Sequence, residues 1–184
     1  VETQREEPEA ERPHTVEEGI ESEPPIASEP DTPIADKLDV VLVTTTEQLA
    51  QTIDRFSAVE RLAIDTETSG LDPHQDTLEL IQLAAFGQPV TIIQCANFTL
   101  EELQPLNQLF GSEAEKIIQN ASFDLQMLKS IGLEVKEPIF DTMLASQVID
   151  AGLNQSHKLE AIAHHYLGID LDKTEQKSDW SGEL

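Results

Sequence analysis

An α/β domain is the fold class that the sequence predicts from Leu38 onward, and three observations carry it. Short β-branched runs alternate with segments whose apolar residues recur every three or four positions. Three strand-like runs follow one another between residues 61 and 95, which implies a sheet. The 184 residues suffice for one domain with a sizeable core.

Each element has a local reason. DVVLVTT (39–45) is short and β-branched, hence a strand, and Thr46 is expected to cap a helix through Phe56, with Leu49, Ile53 and Phe56 at helical spacing. RLAIDTE (61–67), TLELIQLAAF (77–86) and PVTIIQC (89–95) read as three strands of an antiparallel meander. Thr99 with Glu102 three residues on forms a capping box that opens a helix to Phe110. KIIQN (116–120) is a short strand, and Ser122 is expected to start the helix that Gly132 closes. Asp141 begins a helix stopped at Gly152, and KLEAIAHHYLG (158–168) is a last amphipathic helix.

Composition bounds the function. The formal charge is −25, and residues 1–37 hold twelve Asp/Glu against three Lys/Arg together with six of the ten prolines, an expected acidic, Pro-rich disordered linker. The remaining residues still hold 24 acids against eight bases. Such a surface disfavours loose binding to polyanions, so a phosphate-containing substrate needs local cations, most simply bound metal ions. Cys95 is the sole cysteine, which excludes an internal disulfide. No apolar stretch approaches the roughly 20 residues that span a bilayer, and the first thirty residues do not resemble a signal peptide, so a cytoplasmic location is expected. The sequence begins at Val1 without a methionine and is expected to be a piece of a longer chain.

The chemistry gathers at AIDTETSGLD (63–72). Asp65 and Glu67 lie two apart on a strand, so their side chains share a face and can share an ion. A carboxylate pair at a buried strand end is costly unless it binds a cation. Asp124 sits in the first turn of the helix after KIIQN, and that strand could lie beside the one carrying the pair. Phosphodiester hydrolysis by two divalent ions needs carboxylates converging from different elements in this way. A D-x-E triplet alone is a weak pattern, and a lone acid in a first helical turn is explained by the helix dipole. The combination carries the argument.

AIDTETSGLD, IIQNASFDLQML, FDTMLASQVIDAG and HHYLGIDLDKTEQKSDW, in this order and spacing, resemble the DEDD superfamily of 3′-to-5′ exonucleases, and within it ribonuclease D and the proofreading domains of family A DNA polymerases. The resemblance covers Val40 to Leu184, so residues 38–184 are expected to be the exonuclease domain. It implies a ribonuclease H-like fold, a mixed central sheet flanked by helices, that uses two divalent metal ions, Mg²⁺ or Mn²⁺, to remove nucleotides from the 3′ end of single-stranded DNA or RNA. It implies Asp65, Glu67 and Asp124 as metal ligands, Asn120 as a holder of the terminal nucleotide, Leu71 as an apolar wedge against its base and Thr68 as a further contact. A third motif, Tyr or His followed four residues later by a fourth metal-binding Asp, would come after the SDW segment. The sequence ends at Leu184 before it, so the domain is expected to be incomplete, with apolar surface exposed that a final helix would cover. A polymerase domain in the same parent chain is an expected partner, and an inactive exonuclease fold that only binds nucleic acid or such a domain is the rival reading.

Other residues have simpler explanations. Tyr166 is followed four residues on by Asp170, but it belongs to the helix before the third motif and is expected to pack in the core. His164 and His165 are adjacent and diverge by about 100° on a helix, so they do not chelate one ion; one half-buried and one solvated ring is expected. Cys95 lacks zinc-spaced neighbours and reads as a small core residue. Asp141 reads as an N-cap, and Lys173 and Lys177, which could contact phosphates, read as solvated surface lysines.

Overall fold

The structure is a computed structural model that describes residues 39–153 and 155–171; the acidic segment 1–37, Lys173 and Lys177 lie outside them. The described residues fall within the larger of two units into which the chain divides, Ile34–Leu184. In chain order they form β1 (Val40–Val43), α1 (Thr46–Phe56), β2 (Arg61–Thr68), β3 (Leu78–Ala84), β4 (Val90–Gln94), α2 (Leu100–Leu103), α3 (Asn107–Phe110), β5 (Glu115–Ile118), α4 (Ala121–Ser130), β6 (Ile139–Asp141), α5 (Thr142–Ile149) and α6 (Leu159–Leu167). No helix among these residues is long and apolar enough to cross a membrane.

The six strands form one mixed sheet in the order β1-β4-β3-β2-β5-β6. The meander β2–β3–β4 is antiparallel, as its short connections predict, whereas β1 joins β4, β5 joins β2 and β6 joins β5 in parallel. Parallel pairs need crossovers, and helices supply them. Leu80, Ile81 and Leu83 of β3 are all essentially buried, which marks a strand covered on both faces. Leu49 and Phe56 of α1, Leu103, Leu109 and Phe110 complete the core. Burial of such side chains supplies roughly 1.5–3 kcal/mol each, more than any single cap, so the core fixes the layers and the caps tune their ends.

Local chemistry moved several predicted boundaries. α1 is capped by Thr45 rather than Thr46, because Gln48 stands three residues after Thr45 and its side chain completes a capping box. The box at Thr99 and Glu102 forms as predicted. The helix it opens does not run intact to Phe110: Pro105 lacks an N–H to donate, and residues Gln104–Leu106 wind as a 3-10 turn that separates α2 from α3. β6 is a three-residue strand, too short to leave a periodic signal. Tyr166 does not pack in the core: it is 42% exposed, and its hydroxyl donates to Asp150 Oδ2 at 3.2 Å. His164 and His165 are both exposed rather than one half-buried, and His164 Nδ1 lies 2.8 Å from Asp170 Oδ1. Among the described residues, Leu144, Val148 and Ile149 of α5 stand open along a groove of about 750 Å³ against α4 and β6.

Asp141 ties the two helices near the site together. Its carboxylate accepts from Met143 N (2.9 Å) and Leu144 N (3.2 Å) at the start of α5, and from Asn120 N (3.2 Å) and Ala121 N (2.9 Å) at the start of α4. Four amides that a helix start leaves unpaired thus share one anion. Asp141→Ala is expected to cost about 2 kcal/mol, since one cap alone is worth about 1, and a lowered urea midpoint measures it.

Candidate active site

The helix acid Asp124 is brought beside the strand of the other two because β2 outruns its neighbour. β5 pairs with β2 only from Arg61 to Ala63, leaving Ile64–Thr68 without a strand partner on that side. The chain after β5 turns sharply at Asn120, which adopts a left-handed conformation (φ 59°, ψ 51°) that asparagine tolerates better than most residues. α4 therefore starts at Ala121, one residue before the predicted Ser122, and its first turn lies beside the open half of β2. Asp124, only 3% exposed, accepts a hydrogen bond from the Thr66 hydroxyl at 2.6 Å.

Alternation along β2 places Leu62, Ile64 and Thr66 on the buried face and Asp65 and Glu67 on the other. The strand acids thus share a face, as predicted, and Asp65 accepts from the side-chain amide of Gln82, its register partner on β3, at 3.3 Å. A register shift between Glu67 and Thr68 breaks the ladder where β2 leaves the sheet.

Electrostatics binds the three into one group. Burial pushes the Asp124 carboxyl up to about 6; the Thr66 hydroxyl pulls it partly back, and the charge of Asp65 pushes it up again. Asp65 keeps solvent contact, yet the protein around it raises its pKa, with a backbone bond at Thr66 acting against the rise. Glu67 is raised by burial first and then by Asp65. Three carboxyls that each resist ionising, chiefly through burial and in two of them also through the charge of Asp65, form a site short of positive charge. No Lys or Arg among the described residues forms a salt bridge with them.

The donor set is all carboxylate oxygen, which suits hard divalent cations such as Mg²⁺ and Mn²⁺ rather than zinc. Among the described residues no three His, Cys, Asp or Glu side chains are grouped tightly enough to enclose an ion as they stand. Chemically the acids fit a divalent ion; geometrically they are a coupled set rather than a closed cage. Cys95 contributes nothing: it is buried, and its thiol is pushed up to about 12 by burial and by the charge of Glu79.

The other predicted residues stand around the acids in different states. Asn120 is exposed, and its side chain makes no capping bond to α4. Leu71 is 83% exposed, in a loop pinned at both ends by Ser69 N to Thr77 O (3.0 Å) and Thr77 N to Ser69 Oγ (2.9 Å). Thr68 spends its hydroxyl on the loop itself, donating to Gly70 O at 2.6 Å. Gly70 gives the Asp76 carboxylate its room: a Cβ there would lie 2.4 Å from Asp76 Oδ2, the oxygen that accepts from Asp72 N at 2.8 Å, and would force that carboxylate to move. Gly70→Ala is expected to cost about 1–2 kcal/mol by breaking that bond and to speed proteolytic nicking of the Leu71 loop.

Sequence reasoning missed Thr66 and Gln82. A signal existed for Thr66, since a polar residue in the buried register of an alternating strand must find a partner. None existed for Gln82, whose role depends on the β2–β3 register.

A family profile described as "3'-5' exonuclease" matches residues 40–184. The chain is similar to DNA polymerase I of Borreliella burgdorferi, 32% identical over 148 residues that cover 74% of this chain and 16% of that protein. It is similar to ribonuclease D of Gluconacetobacter diazotrophicus, 30% identical over 144 residues that cover 78% of this chain and 36% of the relative. The chain thus spans about a sixth and about a third of these relatives' lengths. Among solved structures, NrnC of Brucella melitensis with bound Mg²⁺ superposes with a TM-score of 0.61 at 25% identity, covering 79% of this chain and 66% of that one. The mixed sheet flanked by helices is the ribonuclease H-like fold.

Proposed function

From the premise that the chain belongs to the 3′-5′ exonuclease family, whose profile spans residues 40–184, we propose that it removes nucleotides one at a time from the 3′ end of single-stranded nucleic acid, with two divalent ions, Mg²⁺ or Mn²⁺, held by Asp65, Glu67 and Asp124. One observation carries the reading: a buried helix carboxylate is hydrogen-bonded to the residue between two strand carboxylates, and all three resist ionising. Divalent cations held by such a group supply Lewis acidity and neutralise charge on the leaving oxygen.

The chain's own residues then divide the work. Asp65 and Glu67 present their oxygens from one face of β2, and Asp124 presents its own from α4. Leu71, held out by a pinned loop, offers apolar surface to the terminal base, and Asn120, exposed and not used as a cap, offers its amide to the terminal nucleotide. Thr68 shapes the loop through its bond to Gly70 O, and contact with the nucleotide is a second duty we assign to it. The chain's net charge of −25 repels a polyanion everywhere else, so binding without divalent ions is expected to be weak.

The similarity to DNA polymerase I supports a proofreading domain in a polymerase, and the similarity to ribonuclease D supports 3′ processing of RNA. A non-catalytic module of the same fold is the second reading, favoured by the lack of an enclosed ion site among the described residues. Mn²⁺ calorimetry on the full-length protein separates them: the exonuclease binds two ions and loses that binding in Asp65→Ala, while a non-catalytic module gives no heat that depends on these acids.

A further inference from the structure

Thr66 lies between the two strand acids and faces away from both, into the buried layer, at 7% exposure. Its hydroxyl nevertheless reaches the third acid, since α4 approaches β2 from that side. Asp124 has no salt-bridge partner among the described residues, and this 2.6 Å bond is the side-chain hydrogen bond its carboxylate accepts there, beside backbone bonds at Asp124 and Thr66. β-branching restricts the Thr66 rotamer, and the strand holds its backbone, so the donor position is rigid.

We propose that Thr66 is a positioning residue for Asp124: it fixes one carboxylate oxygen of the helix acid relative to the two strand acids, and so sets the spacing across which the divalent ions are bound. The inference rests on the reading of these acids as a cation site and deepens it. The D-T-E triplet is then three residues with two jobs. Its acids supply ligands on one face of β2, and its threonine locks the remaining ligand from the other. α4 is tied independently at its start by Asp141, which sets the helix but not the Asp124 side chain.

The test is Mn²⁺ calorimetry on the full-length protein, with urea unfolding in EDTA as a parallel measure of the fold. Thr66→Val keeps the shape and removes the donor; Thr66→Ser keeps the donor. Thr66→Val is expected to weaken Mn²⁺ binding about tenfold, the size of one hydrogen bond to a charged group, while Thr66→Ser stays within about threefold of the wild type. If Thr66→Val does not fold, Thr66→Ala takes its place in the same comparison. Wild-type Mn²⁺ affinity in the variant lacking the hydroxyl, whatever its urea midpoint, overturns the proposal, as does a Thr66→Ser as weak as Thr66→Val. Absence of Mn²⁺ binding to the wild type overturns the cation site itself, and this inference with it.

Discussion

Asp65→Ala is expected to lower divalent-dependent shortening of a 3′ single-stranded oligonucleotide by about a thousandfold or more in the full-length protein. Burial raises both Glu67 and Asp124, and the charge of Asp65 adds to the rise of each, so Asp65 is the acid whose field both of the others feel. Removing it leaves one carboxylate on β2 and one on α4, and the ion site loses the several kcal/mol of transition-state stabilisation that bound metal supplies. The fold should survive, because Asp65 is exposed and its side chain contributes nothing to the core; the long 3.3 Å bond from Gln82 and the backbone bond at Thr66 are lost. A matched urea midpoint beside a lost activity separates a site effect from unfolding.

Asp124→Asn is expected to do two opposite things. It should abolish activity, since an amide supplies no negative charge to hold a cation. It should also stabilise the metal-free protein at pH 7. The folded-state pKa of Asp124, about 6, lies above the ordinary carboxylate value, so the folded protein holds this proton more tightly than the unfolded chain. Stability from this group is therefore fully present below about pH 4, falls as pH rises to about 6 and stays low above that. Asparagine keeps the neutral form at every pH and can still accept from Thr66. Urea unfolding in EDTA should show the variant more stable by on the order of 2 kcal/mol at pH 7, with the difference gone below pH 4. A variant less stable than the wild type at pH 7 would contradict the burial of an unpaired carboxylate.

Much of this site was legible in the sequence, for physical reasons that differ between residues. Two acids at i and i+2 in an apolar run share a face whatever the fold, so the Asp65–Glu67 pair needed no tertiary information. The capping residues Thr99 and Asp141 were legible because their bonds are local. Asp124 was legible as a candidate, but its approach to β2 depends on β5 stopping at Ile118 and on Asn120 turning left-handed, and a short strand leaves both open. Gln82 stands opposite Asp65 only through the β2–β3 register. The same holds for Asp141: its cap on α5 is local, whereas its bonds to Asn120 and Ala121 join residues about twenty apart. Tyr166 went wrong for the converse reason, since helical spacing does not say whether a neighbouring layer exists to bury it.

The account turns on divalent-dependent removal of nucleotides from a 3′ end, and one assay reads this directly. A 5′-labelled single-stranded oligonucleotide incubated with the full-length protein and Mg²⁺ should shorten in single-nucleotide steps from its 3′ end, stop on addition of EDTA and remain intact with Asp65→Ala. An oligonucleotide left whole by the folded wild type in Mg²⁺, or shortened equally well by Asp65→Ala, would contradict it.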